Sequence, residues 1–254
     1  MGVRVVRLRA LLALGLMLGL LGTAGAAPSA QPAPTLHALL TPYEASYRLQ
    51  QGPLTLARAT FALRRADGDV WTLTSRTEAT GWLGALRNDR ITETSRFRVE
   101  ADRLLPLAYE MHHTGPDGAK IETASFDWAA RRVRGRVNEA AFDLPLTEHT
   151  YDRLSLQVVV RAAAARGISP VQVNLLEKNK IKPVRFEQGT PETVQTAAGR
   201  FDAIRMGQVD SNKPMRFWLA PTANHLPVRV EQDRGRLHLK LELERLDPAI
   251  VGRG

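Results

Sequence analysis

The chain alternates apolar and polar residues over most of its length from position 43 onward, and this pattern predicts β-strands. A period of two places one row of side chains in a core and the other row in solvent. The alternation is clearest near the carboxyl end, where polar residues separate Leu237, Leu239, Leu241 and Leu243. Strands are predicted at residues 43–49, 57–63, 70–79, 91–99, 105–113, 119–127, 132–137, 171–176, 181–188, 192–196, 201–209, 215–219, 228–232 and 236–244.

Residues 152–166 break this alternation and predict a helix. Asp152 stands at the helix start, where an acidic residue is favoured, and Gly167 follows the last residue, as is typical of a helix end. From Leu154 to Ala165, apolar residues recur every three or four positions and form one continuous apolar face. We therefore expect a single long packing helix.

Strands in sequential order with one inserted helix predict a mainly β fold. Strands that alternate in this way belong to antiparallel sheets with one dry face. A flat sheet of about a dozen strands would leave long unpaired edges, so we expect it to curl or close. The predicted fold is a large curved antiparallel meander sheet, a half-barrel or open barrel, with the helix near 152–166 on its concave face.

The amino terminus has the three parts of an export signal. Arg4, Arg7 and Arg9 precede an apolar run at residues 10–21, and small residues ending at Ala26 follow. Because that run is shorter than the roughly 20 residues that cross a bilayer, we expect cleavage near Ala26, no membrane span afterwards, and a soluble periplasmic or secreted product. The predicted segments are a signal peptide at 1–26, a flexible Pro- and Ala-rich leader at 27–42, a single antiparallel β domain at 43–248 and a tail at 249–254.

Composition excludes several classes of function. Of the 254 residues, 44% are hydrophobic and 24% are charged, which is typical of a globular domain. Cysteine is absent, which excludes disulfides, cysteine nucleophiles and thiolate metal sites. The formal net charge is +9, but the arginines are scattered and export separates the chain from nucleic acid, so we predict no nucleic-acid partner.

The residues capable of catalysis do not form a complete set. Asp152 and Ser155 lie three positions apart at the helix start, and His149 precedes them. Because the sequence has no glycine-flanked serine elbow, we predict that Asp152 caps the helix and that Ser155 is its hydrogen-bonding neighbour. The histidines lack metal-site spacing, and phosphate-binding glycine loops are missing. We predict no catalytic residue, no metal and no cofactor, and the balance is against an enzyme.

Several short motifs in the second half of the chain have a structural interpretation. Gly199 predicts a tight turn with positive φ, and Phe201 begins the next buried strand. Trp218 lies in a strand that ends at Pro221. Pro227 stands at the first position of the returning strand, where the backbone N–H that proline lacks is not needed for strand pairing.

Together with residues 43–47 and Asp152-Arg-Leu-Ser155, the motifs Ala198-Gly199-Arg-Phe201, Trp218-Leu-Ala-Pro221 and Leu226-Pro-Val-Arg229 resemble an exported bacterial family. In their order and spacing, over residues 42–247, they resemble the domain of unknown function 3108. The resemblance implies a periplasmic or secreted antiparallel β domain without an established enzymatic activity. The hairpin that begins at Trp218 is more distantly similar to the lipoprotein-carrier and sigma-regulator half-barrels, which hold acyl chains or bind envelope partners.

Three hypotheses for function follow from this fold. The first is a non-catalytic binding or carrier domain, whose concave face accepts an apolar small molecule or an envelope protein and whose cleft is lined by Trp82, Leu83 and Trp218. The second is an enzyme that acts on an envelope glycan or lipid through carboxylates in the cleft. The third is a pure protein-interaction module with an exposed apolar patch or sheet edge. The sequence leaves the ligand, the partner and the oligomeric state open.

Overall fold

Strands make up most of the part of the chain that the structure describes. The computed structural model describes residues 33–81, 84, 88–235 and 237–248. Its strands are β1 (Tyr43–Gln51), β2 (Leu54–Arg65), β3 (Val70–Ala79), β4 (Arg90–Glu100), β5 (Arg103–Thr114), β6 (Lys120–Asp127), β7 (Arg132–Val137), β8 (Ala140–Pro145), β9 (Thr150–Tyr151), β10 (Val171–Glu177), β11 (Lys180–Gln188), β12 (Glu192–Thr196), β13 (Gly199–Val209), β14 (Met215–Ala220), β15 (Leu226–Arg234) and β16 (Leu237–Pro248). Its helices are α1 (Leu36–Leu39) and α2 (Arg153–Ala165), and a 3₁₀ turn spans Pro221–Ala223.

All sixteen strands join one sheet. The strand order is β8-β7-β6-β5-β4-β3-β2-β1-β16-β15-β14-β13-β11-β10-β9, and β12 pairs with β13. Because β1 pairs with β16, the sheet has a first limb of β1–β8 and a second limb of β9–β16. Neighbouring strands are antiparallel except β9 and β10, which are parallel. Among the described strands the sheet is not closed into a barrel, so the predicted mainly β half-barrel is confirmed.

The inward-facing rows of the two limbs form the core. In β4, Phe97 and Val99 are buried, while Arg98 between them is exposed. Leu63 of β2 and Leu243 of β16 are also buried. Burying a leucine side chain stabilises the fold by about 1.5–3 kcal/mol, and a slip of one residue would turn a whole row to solvent. Burial of one face therefore holds each strand in its register.

Helix α2 is buried on nearly every side, which differs from the single apolar face predicted for residues 152–166. It contacts β3, β4 and β5 of the first limb and β10 and β13 of the second limb. A helix enclosed between two limbs has little surface left for solvent, and its alanines permit close approach of the strands. None of the described helices is long and apolar enough to cross a membrane. The buried residues of α2 are Leu154, Ser155, Leu156, Val158, Val160, Arg161, Ala162, Ala163 and Ala164.

The flexible leader predicted at residues 27–42 is wrong for the part that the structure describes. Helix α1 begins after its N-cap, Thr35, and buries Leu36 and Leu39 in the core. Arg161 of α2 donates a hydrogen bond to the carbonyl of Leu39, which joins α1 to α2. The prolines stand before and after this helical turn rather than within it, so they do not oppose it. The burial of its leucines stabilises a helix that is too short to form alone.

Candidate functional site

A cleft of about 430 Å³ lies on the concave side of the sheet, beside the first turns of α2. Leu49 of the first limb and its cross-strand neighbours Leu241 and Val230 of the second limb form one apolar row along its wall. Arg153 and Gln157 of α2 form its floor. The other lining residues are Ala59, Phe61, Ser75, Thr77, Ile91, Glu93, Met111, His113, Met215, Gln232, Arg234 and Leu239.

A second cavity of about 340 Å³ adjoins this cleft. The two cavities share Leu49, Thr77, Ile91 and His113 as lining residues, so they form one continuous groove over the inner face of the first limb. Alternation along each strand explains the apolar walls, because every second residue of β1–β4 faces inward and part of this inward row lines the groove. The volumes lie within the range of about 300–1,000 Å³ that is typical of small-molecule sites.

A charged cluster forms the polar part of the cleft floor. The guanidinium of Arg153 lies 2.8 Å from Glu93 Oε1 and 3.3 Å from Glu122 Oε2. The Tyr109 hydroxyl donates to Glu93 Oε1 at 2.6 Å and accepts from Arg153 Nε at 3.1 Å. Helix α2 supplies the arginine, and the inward rows of β4, β5 and β6 supply its three partners. One cation thus holds two carboxylates beside an apolar groove.

Tyr109 is neutral and Arg153 is charged at neutral pH. Burial raises the pKa of the Tyr109 phenol, and the nearby Glu93 carboxylate raises it further, so Tyr109 stays a neutral hydrogen-bond donor. Burial opposes the charged form of Arg153, but Glu93, Tyr109 and Glu122 outweigh it, and the pKa of Arg153 is raised. The guanidinium is therefore a permanent cation that satisfies both carboxylates.

The carboxylates that line the two cavities are already engaged by basic or imidazole partners. Glu93 pairs with Arg153, and Asp89 Oδ1 lies 3.0 Å from His113 Nε2. The Arg153 ion pair holds the Glu93 carboxylate, whereas a carboxylate beside an imidazole, as in the Asp89–His113 pair, orients the ring for ligand binding or for proton transfer.

Trp218 lies away from the cleft, contrary to its predicted position. Met215 and Phe217 face the core side of β14, and alternation turns Trp218 to the opposite side. There it is buried, its indole N–H donates to Glu192 Oε2 at 3.0 Å, and the guanidinium of Arg229 lies 5.8 Å from its ring centroid. Trp82 and Leu83, the other two predicted cleft residues, lie outside the residues that the structure describes.

Replacing Trp218 with phenylalanine tests this position. We expect the free energy of unfolding to fall by about 1 kcal/mol, because the ring stays buried while one hydrogen bond to a charged carboxylate is lost. Urea denaturation measures the change. A loss of less than about 0.3 kcal/mol would show that the indole N–H bond contributes little.

Asp152 and Ser155 form a buried helix cap rather than a catalytic pair. Asp152 Oδ1 accepts hydrogen bonds from the N–H groups of Leu154 and Ser155, both at 2.9 Å. Its Oδ2 accepts from the hydroxyls of Ser95 and Ser155, both at 2.7 Å. Burial raises the pKa of Asp152, while these hydrogen bonds oppose the increase. His149 is exposed, whereas Asp152 and Ser155 are fully buried.

The remaining motif residues occupy turns and strand ends. Gly199 has a φ of +135°, where glycine is favoured, and opens β13. Phe201 is half-buried against the core. Pro227 is the second residue of β15, one position later than predicted, and its carbonyl accepts a hydrogen bond from the Tyr47 hydroxyl at 2.9 Å.

Comparison with protein families identifies the chain. A family model described as a protein of unknown function, DUF3108, matches residues 43–241. The chain belongs to this family. The match begins at the first residue of β1 and ends within β16, so it contains every lining residue of the cleft. The membership predicted from the sequence motifs is confirmed.

Several solved structures are similar to this DUF3108 chain. A β-barrel-like DUF1849 protein from Brucella abortus matches with a TM-score of 0.55 at 12% identity, over 84% of this chain and 99% of that one. A candidate lipoprotein from Parabacteroides distasonis matches with a TM-score of 0.35 at 11% identity, over 85% and 100% of the two chains. At such identity the DUF1849 likeness shows the fold alone. No curated protein matches the chain.

Sequence reasoning missed the charged floor of the DUF3108 cleft. The sequence did contain a signal for it, because Glu93 is a charged residue in the same inward row as Ile91, Ser95 and Phe97. A charged residue at an inward position requires a buried partner. The pattern did not identify Arg153 as that partner, because the packing of α2 against β4 brings the two together.

Proposed function

We propose that this DUF3108 protein is a non-catalytic binding protein of the cell envelope that holds an apolar ligand in its concave cleft. The observation that carries the proposal is the cleft itself, whose apolar walls come from both limbs of the sheet and whose floor is formed by α2. The export signal expected at residues 1–26 supports an envelope location.

The ligand class follows from the chemistry of the cleft lining. Leucine, isoleucine and methionine side chains favour a hydrocarbon body, because burial of apolar surface is the main source of affinity in such sites. Gln157 and Arg234 also line the cleft and offer hydrogen-bond donors for a polar group. A molecule with an acyl chain and a small polar end meets both requirements.

Titration with a fluorescent fatty acid tests this function. We expect saturable binding to the exported form of the protein at micromolar concentration. Replacing Thr77 with tryptophan should weaken binding at least about tenfold, because Thr77 lines both cavities and a large ring there would fill the groove. The matched control is Thr74→Trp, which makes the same change on the outer face of the same strand, and it should bind like the unaltered protein.

Two results would overturn the proposal. One is the absence of saturable binding by the unaltered protein. The other is an equal loss of affinity in Thr77→Trp and Thr74→Trp, which would show that the ligand does not bind in the groove. Trp218→Phe should leave the affinity unchanged, since Trp218 lies on the opposite side of β14.

A further inference from the structure

One end of the half-barrel carries the turns that surround the cleft. The antiparallel order places the β1–β2, β10–β11, β13–β14 and β15–β16 turns at the same end. We call this end the mouth rim. Arg234, the last residue of β15, and Met215, the first residue of β14, line the cleft, so the cleft reaches this rim.

The mouth rim exposes large apolar side chains. Leu54, which follows the β1–β2 turn, is 53% exposed, and Leu237, which follows the β15–β16 turn, is 44% exposed. Ile121, at the start of β6, is 41% exposed at the same end. These are three of the four exposed large apolar side chains among the described residues. A single exposed leucine is ordinary, but three at the end where an apolar cleft opens indicate a surface that meets another apolar phase.

The same rim carries basic side chains without acidic partners. Lys178 and Lys180 lie at the β10–β11 turn, Lys213 at the β13–β14 turn and Arg234 at the β15–β16 turn, and all four are exposed. Within the described ranges, none of these four forms an ion pair with a carboxylate. Three acidic side chains of the same end are paired with other cations: Glu177 with Lys182, Asp210 with Arg185 and Glu139 with Arg136. The rim therefore presents a positive arc beside its exposed leucines.

We propose that the mouth rim docks the protein onto an anionic phospholipid bilayer. The lysines and Arg234 would lie at the level of the lipid headgroups, where cations near an anionic surface are attracted. Leu54 and Leu237 would enter the boundary between headgroups and acyl chains, as apolar residues of interfacial proteins do. In this orientation the cleft opens toward the bilayer, so an apolar molecule can pass between them without crossing water.

Vesicle co-sedimentation tests the docking surface. The exported form of the protein should bind vesicles of mixed phosphatidylglycerol and phosphatidylcholine, and should bind pure phosphatidylcholine weakly. The triple variant K178E/K180E/K213E should bind the mixed vesicles at least about tenfold more weakly. The double variant Leu54→Ser with Leu237→Ser should also bind more weakly. Raising salt from about 0.05 M to about 0.5 M should reduce binding, since exposed charges are screened.

The opposite end of the half-barrel supplies a matched control. Arg103, Arg131 and Arg200 are exposed at that end, and R103E/R131E/R200E makes the same change in net charge. This variant should keep most of the vesicle affinity. No binding to mixed vesicles, or an equal loss in both triple variants, would overturn the proposal. Thr77→Trp should bind vesicles normally, so the failure of docking and the failure of ligand binding are separately visible.

Discussion

Replacing Asp152 with alanine should lower the free energy of unfolding by about 3 kcal/mol. The carboxylate caps α2 by accepting from two backbone N–H groups, and loss of an N-cap costs about 1 kcal/mol. It also accepts from the hydroxyls of Ser95 and Ser155, which are both fully buried. Each hydroxyl left without an acceptor adds about 1 kcal/mol or more. Urea denaturation followed by circular dichroism measures the loss.

Thr35→Ala provides the matched control for this cap. Thr35 is the N-cap of the four-residue helix α1, and its hydroxyl accepts from the N–H of Ala38 at 3.2 Å in an exposed position. Because solvent replaces the lost hydrogen bond there, we expect a cost of no more than about 1 kcal/mol. If Asp152→Ala costs no more than Thr35→Ala, then the buried hydroxyls have found other partners, and Asp152 is an ordinary cap.

Replacing Arg153 with methionine should lower the free energy of unfolding by about 2 kcal/mol at neutral pH. The change removes the cation that holds Glu93 and Glu122 together, so two largely buried carboxylates remain without it. The expected loss in free energy of unfolding is smaller than for a fully buried ion pair, because 31% of the Arg153 side chain is exposed and solvent screens part of the interaction.

A second substitution distinguishes charge from packing in this variant. An amide in place of one carboxylate should relieve the repulsion between the two acids that remain in Arg153→Met. The double variant with Glu122→Gln should recover stability at neutral pH for the same reason. Arg58→Met is the matched control, since Arg58 is 65% exposed in its pair with Glu244, and should cost less than about 0.5 kcal/mol. A loss of stability that Glu122→Gln does not relieve would show that lost packing causes it.

Strand prediction succeeded where alternation was long and ended in turn residues. The limits predicted for β3, β7 and β12 agree with the structure, and α2 differs from its predicted range by one residue at each end. Two strands, β8 and β9, were missed. β9 has only two residues, which is too short to show a period of two, and β8 lies at an edge where few of its side chains are buried.

The leader and Trp218 show where local pattern is insufficient. Prolines around α1 predict a flexible segment, yet Leu36 and Leu39 pack into the core that the rest of the chain forms. Tryptophan is a residue type that suits a cleft, but the pairing of β14 turns Trp218 toward Glu192. In both cases the deciding partner is distant in sequence, so no local window contains it.

The sequence by itself determined the periodic features of this protein: its strands, its single long helix, its half-barrel class and its family. Burial of one face repeats every two residues along a strand, so a short stretch of sequence is enough to show the pattern. Only the tertiary structure decided which inward residues line a cleft and which fill a core. That choice depends on how the two limbs curve around α2, which brings Arg153 to Glu93 and Glu122 and leaves Leu49 and Leu241 facing a groove. Contacts between residues so far apart in sequence carry no local periodicity, because each position meets its partner only after the sheet has formed.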